Sequence, residues 1–212
     1  MNGGVFDMDG LLFDSERLYQ QTWHAMAAEA GAVLDGSFAP AICGTVGAAE
    51  EAVVARYIPG VEPKAFIAEV NRRTLELVGQ GVPLKPGVFE ILDGMRAAGW
   101  RMAVASSSPM EMIRRNLGSA GLTGYFDALV SGTEAPRGKP APDVFLLAAR
   151  RLGLAAADCW VFEDSLNGVR AGLAAGCKTV MVPDLVPPTP EALRMCAGVW
   201  PDLAEAWRHI CG

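Results

Sequence analysis

Asp7 and Asp9 stand either side of a single methionine, and Gly10 follows them directly. Val5 and Phe6 read as the end of a short buried strand that Gly10 breaks into a loop. Side chains two apart on an extended segment project to one side, so both carboxylates can converge on one spot. Two acids that close repel, and persist as a pair only with a cation or a shared proton between them. The same residues could instead form a solvated turn whose acids cap Leu11 and Leu12. Further along, Ser106-Ser107-Ser108 precedes Pro109; a hydroxyl and free N–H groups at a helix start suit an anionic oxygen, or serve as a plain N-cap. Lys139 is held between Gly138 and Pro140 by stiff backbone, and its ammonium can neutralise paired aspartates and an incoming anion. An ordinary surface lysine is the alternative, in a chain with four lysines. Glu163 and Asp164 end an apolar run, where two adjacent acids are costly unless something cationic meets them, or cap the helix starting near Leu166.

The elements that must position these groups alternate. Strands are predicted at Trp100–Ala105, Ala128–Val130, Cys159–Phe162, Thr179–Val182 and, as an edge, Ala197–Trp200. Between them lie helices at Val88–Ala98, Met110–Leu117, Pro142–Leu152, Asn167–Ala175 and Leu203–His209, several closed by glycine. Val186–Pro190 reads as a Pro-rich loop. The pattern predicts a doubly wound α/β parallel sheet, whose ligands bind beyond the carboxyl ends of the strands. Between the first strand and this block, residues 15–81 read as helical throughout, including Ala48–Tyr57 and Pro63–Val78. The expected organisation is therefore a core of 1–14 and 82–212 with an inserted helical cap of 15–81. Gly3 and Gly4 weaken the first strand on the sequence alone.

At 212 residues, 51% of them hydrophobic, the chain can bury a sizeable core. A formal charge of −6 argues against nucleic acid as a partner, which needs a basic face. No apolar run reaches membrane-spanning length and no signal peptide is visible, so a cytoplasmic location with no membrane partner is expected. The five cysteines, Cys43, Cys159, Cys177, Cys196 and Cys211, contain no C-x-x-C pair and read as reduced core fillers.

The stretch from Asp7 to Glu16 (D-M-D-G-L-L-F-D-S-E) resembles motif I of the haloacid dehalogenase (HAD) superfamily almost letter for letter. Ser106 matches motif II, G-K-P-A-P-D at 138–143 matches motif III, and V-F-E-D-S-L-N-G at 161–168 matches motif IV. The wording is similar to the β-phosphoglucomutase-like and sugar-phosphate phosphatase branch, and covers essentially the whole chain. The resemblance implies a phosphatase acting on a small phosphorylated metabolite, with Asp7 as nucleophile and Asp9 as proton donor and acceptor. Ser106, the Ser107 N–H and Lys139 would hold the phosphoryl oxygens. Mg²⁺ would sit on Asp7, the Asp9 carbonyl and Asp164, with Glu163 behind or beside them. In the cap, Tyr19, Trp23, His24, Gly44 and Thr45 are candidates to meet the substrate, with packing between cap helices the alternative for Trp23 and Tyr19. A monomer is expected. The alternatives are a phosphomutase, for which the family's arginine after the cap glycine loop is absent at Ala48-Ala49-Glu50-Glu51, and a silent scaffold, which would show a broken motif.

Overall fold

The structure, a computed structural model, describes residues 2–43, 45, 47–79 and 81–211. In chain order the elements are β1 (Gly3–Phe6), α1 (Ser15–Glu29), α2 (Phe38–Ile42), α3 (Ala48–Tyr57), α4 (Pro63–Gly79), α5 (Val88–Ala97), β2 (Arg101–Ser106), α6 (Met110–Ser119) and β3 (Ala128–Ser131). There follow α7 (Asp143–Leu152), β4 (Cys159–Glu163), α8 (Leu166–Ala174), β5 (Lys178–Met181), α9 (Pro190–Met195), β6 (Gly198–Val199) and α10 (Leu203–Cys211). The chain divides into two compact units, Met1–Asp14 with Pro83–Gly212, and Ser15–Val82.

In the first unit six parallel strands form one sheet in the order β3-β2-β1-β4-β5-β6. That order places β1 between β2 and β4, next to the switch in winding direction where open α/β sheets bind ligands. The expected α/β parallel sheet is the sheet observed. Side chains alternate across β1 as its pleat requires. Val5 joins Ala103, Val161, Phe145 and Leu152 in a buried cluster against α7 and α8. Phe6 stacks on Phe162 with ring centroids 4.8 Å apart.

The two glycines opening β1 have a packing reason. A Cβ on Gly3 would lie 2.7 Å from Leu154 Cδ1, and one on Gly4 2.7 Å from Met95 Sδ. Neighbouring side chains fill both volumes, so the central strand begins at Gly3 despite its weak propensity. A second departure is α9, which occupies the end of the segment read as a loop. Thr189 Oγ1 accepts from the Ala192 N–H at 3.2 Å and Pro190 opens the helix, a standard start signal. Pro142 is the N-cap of α7 rather than part of its first turn.

The chain leaves and re-enters this unit through paired segments. Asp14 N–H donates to Pro83 O at 2.8 Å and Lys85 N–H to Leu12 O at 3.0 Å, around an antiparallel bridge between Phe13 and Leu84. Lys85 Nζ bonds Asp184 Oδ1 at 2.5 Å and lies 3.9 Å from Asp14 Oδ1, tying both crossings to the loop after β5.

The second unit consists of α1 to α4. Its core is Trp23, Met26, Ala27, Leu34, Phe38, Ile42, Val54, Ile58, Ile67 and Val70. On its surface Arg73 bridges Glu29 of α1 and Glu69 of α4, and Arg72 joins Glu69 and Glu76. Among the described residues no helix is long and apolar enough to cross a membrane.

Candidate active site

Four loops at the carboxyl ends of β1, β2 and β4 and ahead of α7 bring the motif residues together. Asp7 continues the β1 ladder by donating its N–H to Phe162 O at 3.0 Å. The chain then turns on Met8 O, which accepts both the Leu12 and the Phe13 N–H. The main chain thus closes this turn, and Leu11, Leu12 and Phe13 are fully buried beneath it. Gly10 has φ +81°, and a Cβ there would lie 2.4 Å from Asp164 Oδ2. Only glycine lets the β1 loop approach the acid at the end of β4 this closely.

Lys139 supplies the positive charge. Its ammonium bonds Asp7 Oδ1 directly, bonds Glu163 Oε1 at 2.5 Å, and lies 4.9 Å from the centroid of the Phe145 ring. The lysine side chain is 9% exposed and Glu163 1%, so the cluster is nearly dry. Burial opposes the charge on Lys139, but Asp7 and Glu163 more than offset it and hold its pKa above the ordinary lysine range.

The acids outnumber that cation. Burial, reinforced by Glu163 and partly countered by Lys139, pushes the Asp7 pKa up to about 7. Burial likewise raises Asp164 well above the usual carboxylate range, with Glu163 and Asp7 adding to it. Oxygens of Asp7, Glu163 and Asp164 lie within 4.8 Å of one another. Two buried carboxylates and the half-buried Asp164 beside one ammonium leave a site that favours either protons or a second, compact cation.

The two acids ending β4 have different surroundings. Glu163 Oε1 receives Lys139, while Oε2 accepts from the Asp164 N–H, the Ser165 N–H and the Ser165 hydroxyl at 3.0–3.1 Å. These donors fill its lone-pair directions, and the carboxyl presses on α8, where a Cβ on Gly168 would lie 1.8 Å from Glu163 Cδ. Among the described residues Asp164 receives no comparable set of bonds. Ser165 caps α8 by accepting from Gly168 N–H at 3.1 Å, so neither acid is needed as the cap.

Ser106 ends β2 with its side chain buried. Its Oγ accepts from Ser108 N–H at 3.0 Å, which leaves its own O–H to be donated elsewhere. Ser107 is exposed. Ser108 Oγ donates to Asp9 Oδ2 at 2.7 Å; its type and place are visible in the sequence, but its link to Asp9 is not. The pairing of Lys85 with Asp184 is equally invisible in the sequence, where the two stand 99 positions apart. Asp184 Oδ2 lies 3.4 Å from the Cβ position of Gly10, beside Asp164.

Of the candidates in the inserted unit, Trp23 is corrected. It is 3% exposed, packed edge-on to Phe38 at 5.5 Å and stacked with Phe66 at 6.0 Å. A ring held that deeply is a core side chain and lines no cleft. Tyr19 packs on the edge of the same core, and His24 is exposed on α1. Thr45 turns its hydroxyl onto Ile42 O at 2.7 Å. Gly44 lies outside the described residues.

Comparison with known proteins agrees with this arrangement. The haloacid dehalogenase-like hydrolase family matches residues 2–176. Hexitol phosphatase B of Escherichia coli is 34% identical over 184 residues, covering 84% of this chain and 82% of its own. The fructose-1-phosphate phosphatase of the same organism is 31% identical over 183 residues, covering 85% and 95%. A HAD family hydrolase from Deinococcus radiodurans, solved with bound phosphate and sodium, superimposes with a TM-score of 0.86 at 31% identity, over 100% of this chain and 95% of that one. A sheet wound in this order, with its acids and lysine at the strand ends and relatives of this likeness, establishes that the chain belongs to the haloacid dehalogenase-like hydrolases.

Proposed function

We propose that the protein is a Mg²⁺-dependent phosphatase of small phosphomonoesters, sugar phosphates foremost, working through a phosphorylated Asp7. The observation that carries this is the triangle of Asp7, Glu163 and Asp164, with one ammonium bonded to the first two. Its remaining negative charge fits a hard, compact cation held by a few carboxylates and carbonyls. Asp7, Asp164 and the main-chain carbonyl of Asp9 would hold Mg²⁺, with Glu163 behind them because Lys139 and the Asp164–Ser165 backbone already claim its oxygens. When bound, Mg²⁺ neutralises the repulsion between the nucleophilic carboxylate and the phosphate dianion.

The chain's own residues do the rest. Asp7 attacks phosphorus in line as the bond to the leaving oxygen breaks. Asp9 gives that oxygen its proton, then takes one from the water that hydrolyses the aspartyl-phosphate and restores the Asp7 carboxylate. The Ser106 O–H, the Ser107 N–H and the Lys139 ammonium face the negative charge spread over the transferring group. The inserted helical unit is the cap that selects the ester. The phosphatase names of the two curated relatives support hydrolysis over isomerisation.

Phosphate release with Mg²⁺ over a panel of a hexitol phosphate, a ketose 1-phosphate, glucose 1-phosphate and a nucleoside 5′-phosphate tests this reading. Asp7→Asn is expected to lose turnover by about 10⁴-fold or more while keeping its fold. Retained turnover in that variant overturns the nucleophile. Release seen only with an added sugar bisphosphate, alongside an isomerised product, overturns the phosphatase in favour of a mutase. Silence over the whole panel favours a binding scaffold.

A further inference from the structure

Ser108 is tied at three points. Its N–H donates to Ser106 Oγ at 3.0 Å, its carbonyl accepts from Ser131 Oγ at 2.6 Å, and its own hydroxyl donates to Asp9 Oδ2 at 2.7 Å. Ser131 is fully buried at the end of β3 and is fixed in turn. Its Oγ accepts from the Thr133 N–H at 3.2 Å, and its N–H donates to Glu134 Oε2 at 2.9 Å. Since the Ser131 proton is spent on Ser108 O, the 2.8 Å contact between Ser131 Oγ and Thr133 Oγ1 has the threonine as donor. The loop after β3 also presses on the serine loop, because a Cβ on Gly132 would stand 3.0 Å from Ser107 Cα. The Ser131 hydroxyl at the end of the edge strand β3 thus holds the main chain of Ser108, whose own hydroxyl reaches the carboxyl of Asp9.

We infer that Ser108 is the positioning residue for Asp9, with Ser131 as its brace. This rests on the assignment of Asp9 as proton donor and acceptor proposed above. A serine hydroxyl carries one proton, and Ser108 spends it on Asp9 Oδ2. That oxygen is thereby kept as an acceptor, and the transferable proton is directed to Oδ1. In the first step the Oδ1 proton passes to the leaving alkoxide as its bond to phosphorus breaks. In the second, Oδ1 takes a proton from water as the water oxygen bonds to phosphorus and the Asp7–phosphorus bond breaks. Ser108 gains and loses nothing. It fixes the rotation of a short side chain whose reach is decided by about 1 Å.

Leaving groups that differ in their need for a proton separate this role from a structural one. An alkyl phosphate must be protonated as it leaves, whereas p-nitrophenyl phosphate departs as nitrophenolate without help. With enzyme in excess and Mg²⁺ present, Ser108→Ala is expected to slow alcohol release from the best alkyl phosphate of the panel about 10- to 100-fold. Nitrophenolate release in the same single-turnover format stays unchanged. Steady-state turnover of p-nitrophenyl phosphate falls, because hydrolysis of the aspartyl-phosphate still needs Asp9, and KM for the alkyl phosphate stays within about twofold. Ser108→Thr restores the alkyl rate. If Ser108→Ala does not fold, Ser108→Cys, which keeps the volume with only a weak donor, is read in its place. Equal slowing of both single-turnover rates overturns the inference, as does a raised KM at unchanged kcat, which would put the hydroxyl on the substrate. Unchanged kinetics overturn it too. A failed Asp9 assignment shows separately, as Asp9→Asn releasing the alkyl alcohol at the wild-type rate.

Discussion

Lys139 holds Asp7 and Glu163 at the carboxyl ends of β1 and β4, and Arg73 holds Glu29 and Glu69 on the surface of α1 and α4. Both are one cation between two carboxylates. The lysine trio is 9%, 10% and 1% exposed, whereas the arginine trio is 37%, 58% and 36%. Burial does most to reverse the outcome for the acids. Asp7 is pushed up to about 7, with desolvation the largest cause, while Glu69 is pulled down to about 2, with its bonds to Arg72 and Arg73 the largest cause. In water an ion pair needs no further partner and contributes little. In a dry site the same pair remains incompletely solvated and retains an appetite for more positive charge. The inserted unit leaves these charges at its surface, and the core concentrates its own at the carboxyl ends of the strands.

Removing each cation should break the comparison most visibly. Lys139→Met leaves two buried carboxylates facing each other without their ammonium. Turnover is expected to fall about 10³-fold, the scale of losing one charge-stabilising donor. The metal-free protein should also lose about 3 kcal/mol at pH 8, the cost of orphaning a buried charge. At pH 5 the loss should shrink, because Asp7 is then protonated and has less charge to orphan. Urea denaturation at the two pH values follows the stability loss; equal losses would mean that the lysine acts through Glu163 and Phe145 and not through the charge of Asp7.

The wild-type protein should show the same physics more gently. Asp7 binds its proton more tightly when folded than when unfolded, so the folded state holds more protons over the window from 3.8 to about 7. Stability of the metal-free protein therefore falls as pH rises through that window and levels off above it. Asp164, raised in the same direction, adds to the slope. With a chelator present the melting temperature is expected to drop by roughly 5 °C between pH 5 and pH 8. Millimolar Mg²⁺ should recover it at pH 8 and do little at pH 5, since protons and the cation compete for one set of oxygens. A flat chelated profile, or equal stabilisation by Mg²⁺ at both values, would count against the triangle as the cation site.

What could be read in advance follows the same division between local and assembled features. Asp7, Lys139 and Asp164 were legible because each sits in a stretch where glycine or proline restricts the chain, and their order matches one known family. The α/β sheet was legible from the alternation of apolar runs and glycine-closed helices. The Ser108–Asp9 link was not, because it depends on which loop ends up beside which after β2 and β3 pair with their neighbours. Lys85 and Asp184 meet across 99 positions for the same kind of reason. Trp23 is undecided in the sequence because an aromatic on an amphipathic helix looks alike whether it faces a cleft or a core; Phe38 and Phe66 decide it, and they come from other helices. Gly3 and Gly4 looked like defects until Leu154 and Met95 were seen to fill the space a Cβ would need. The helix α9 is a different case, since Thr189 and Pro190 did carry its start signal and the surrounding prolines masked it.

The smallest expected effect belongs to the surface network and sharpens the contrast by its sign. Arg73→Met cuts the ties from α4 to Glu29 and frees Glu69 from one of its two arginines. At pH 7 the change in melting temperature should stay below about 2 °C and vanish in 1 M salt, because exposed pairs are screened and hold side chains at an entropic cost. Its pH dependence should run opposite to that of the core. Glu69 has a folded pKa depressed from 4.5 to about 2, so whatever it contributes is present above 4.5 and is lost as pH falls toward 2. The wild type should thus lose a small increment on acidification that Arg73→Met has already lost in part, and the two melting curves should converge at low pH. A gap of the same size at every pH instead would mean that Arg73 acts through the packing of its methylene stem between α1 and α4, and that exposure alone does not separate the two clusters.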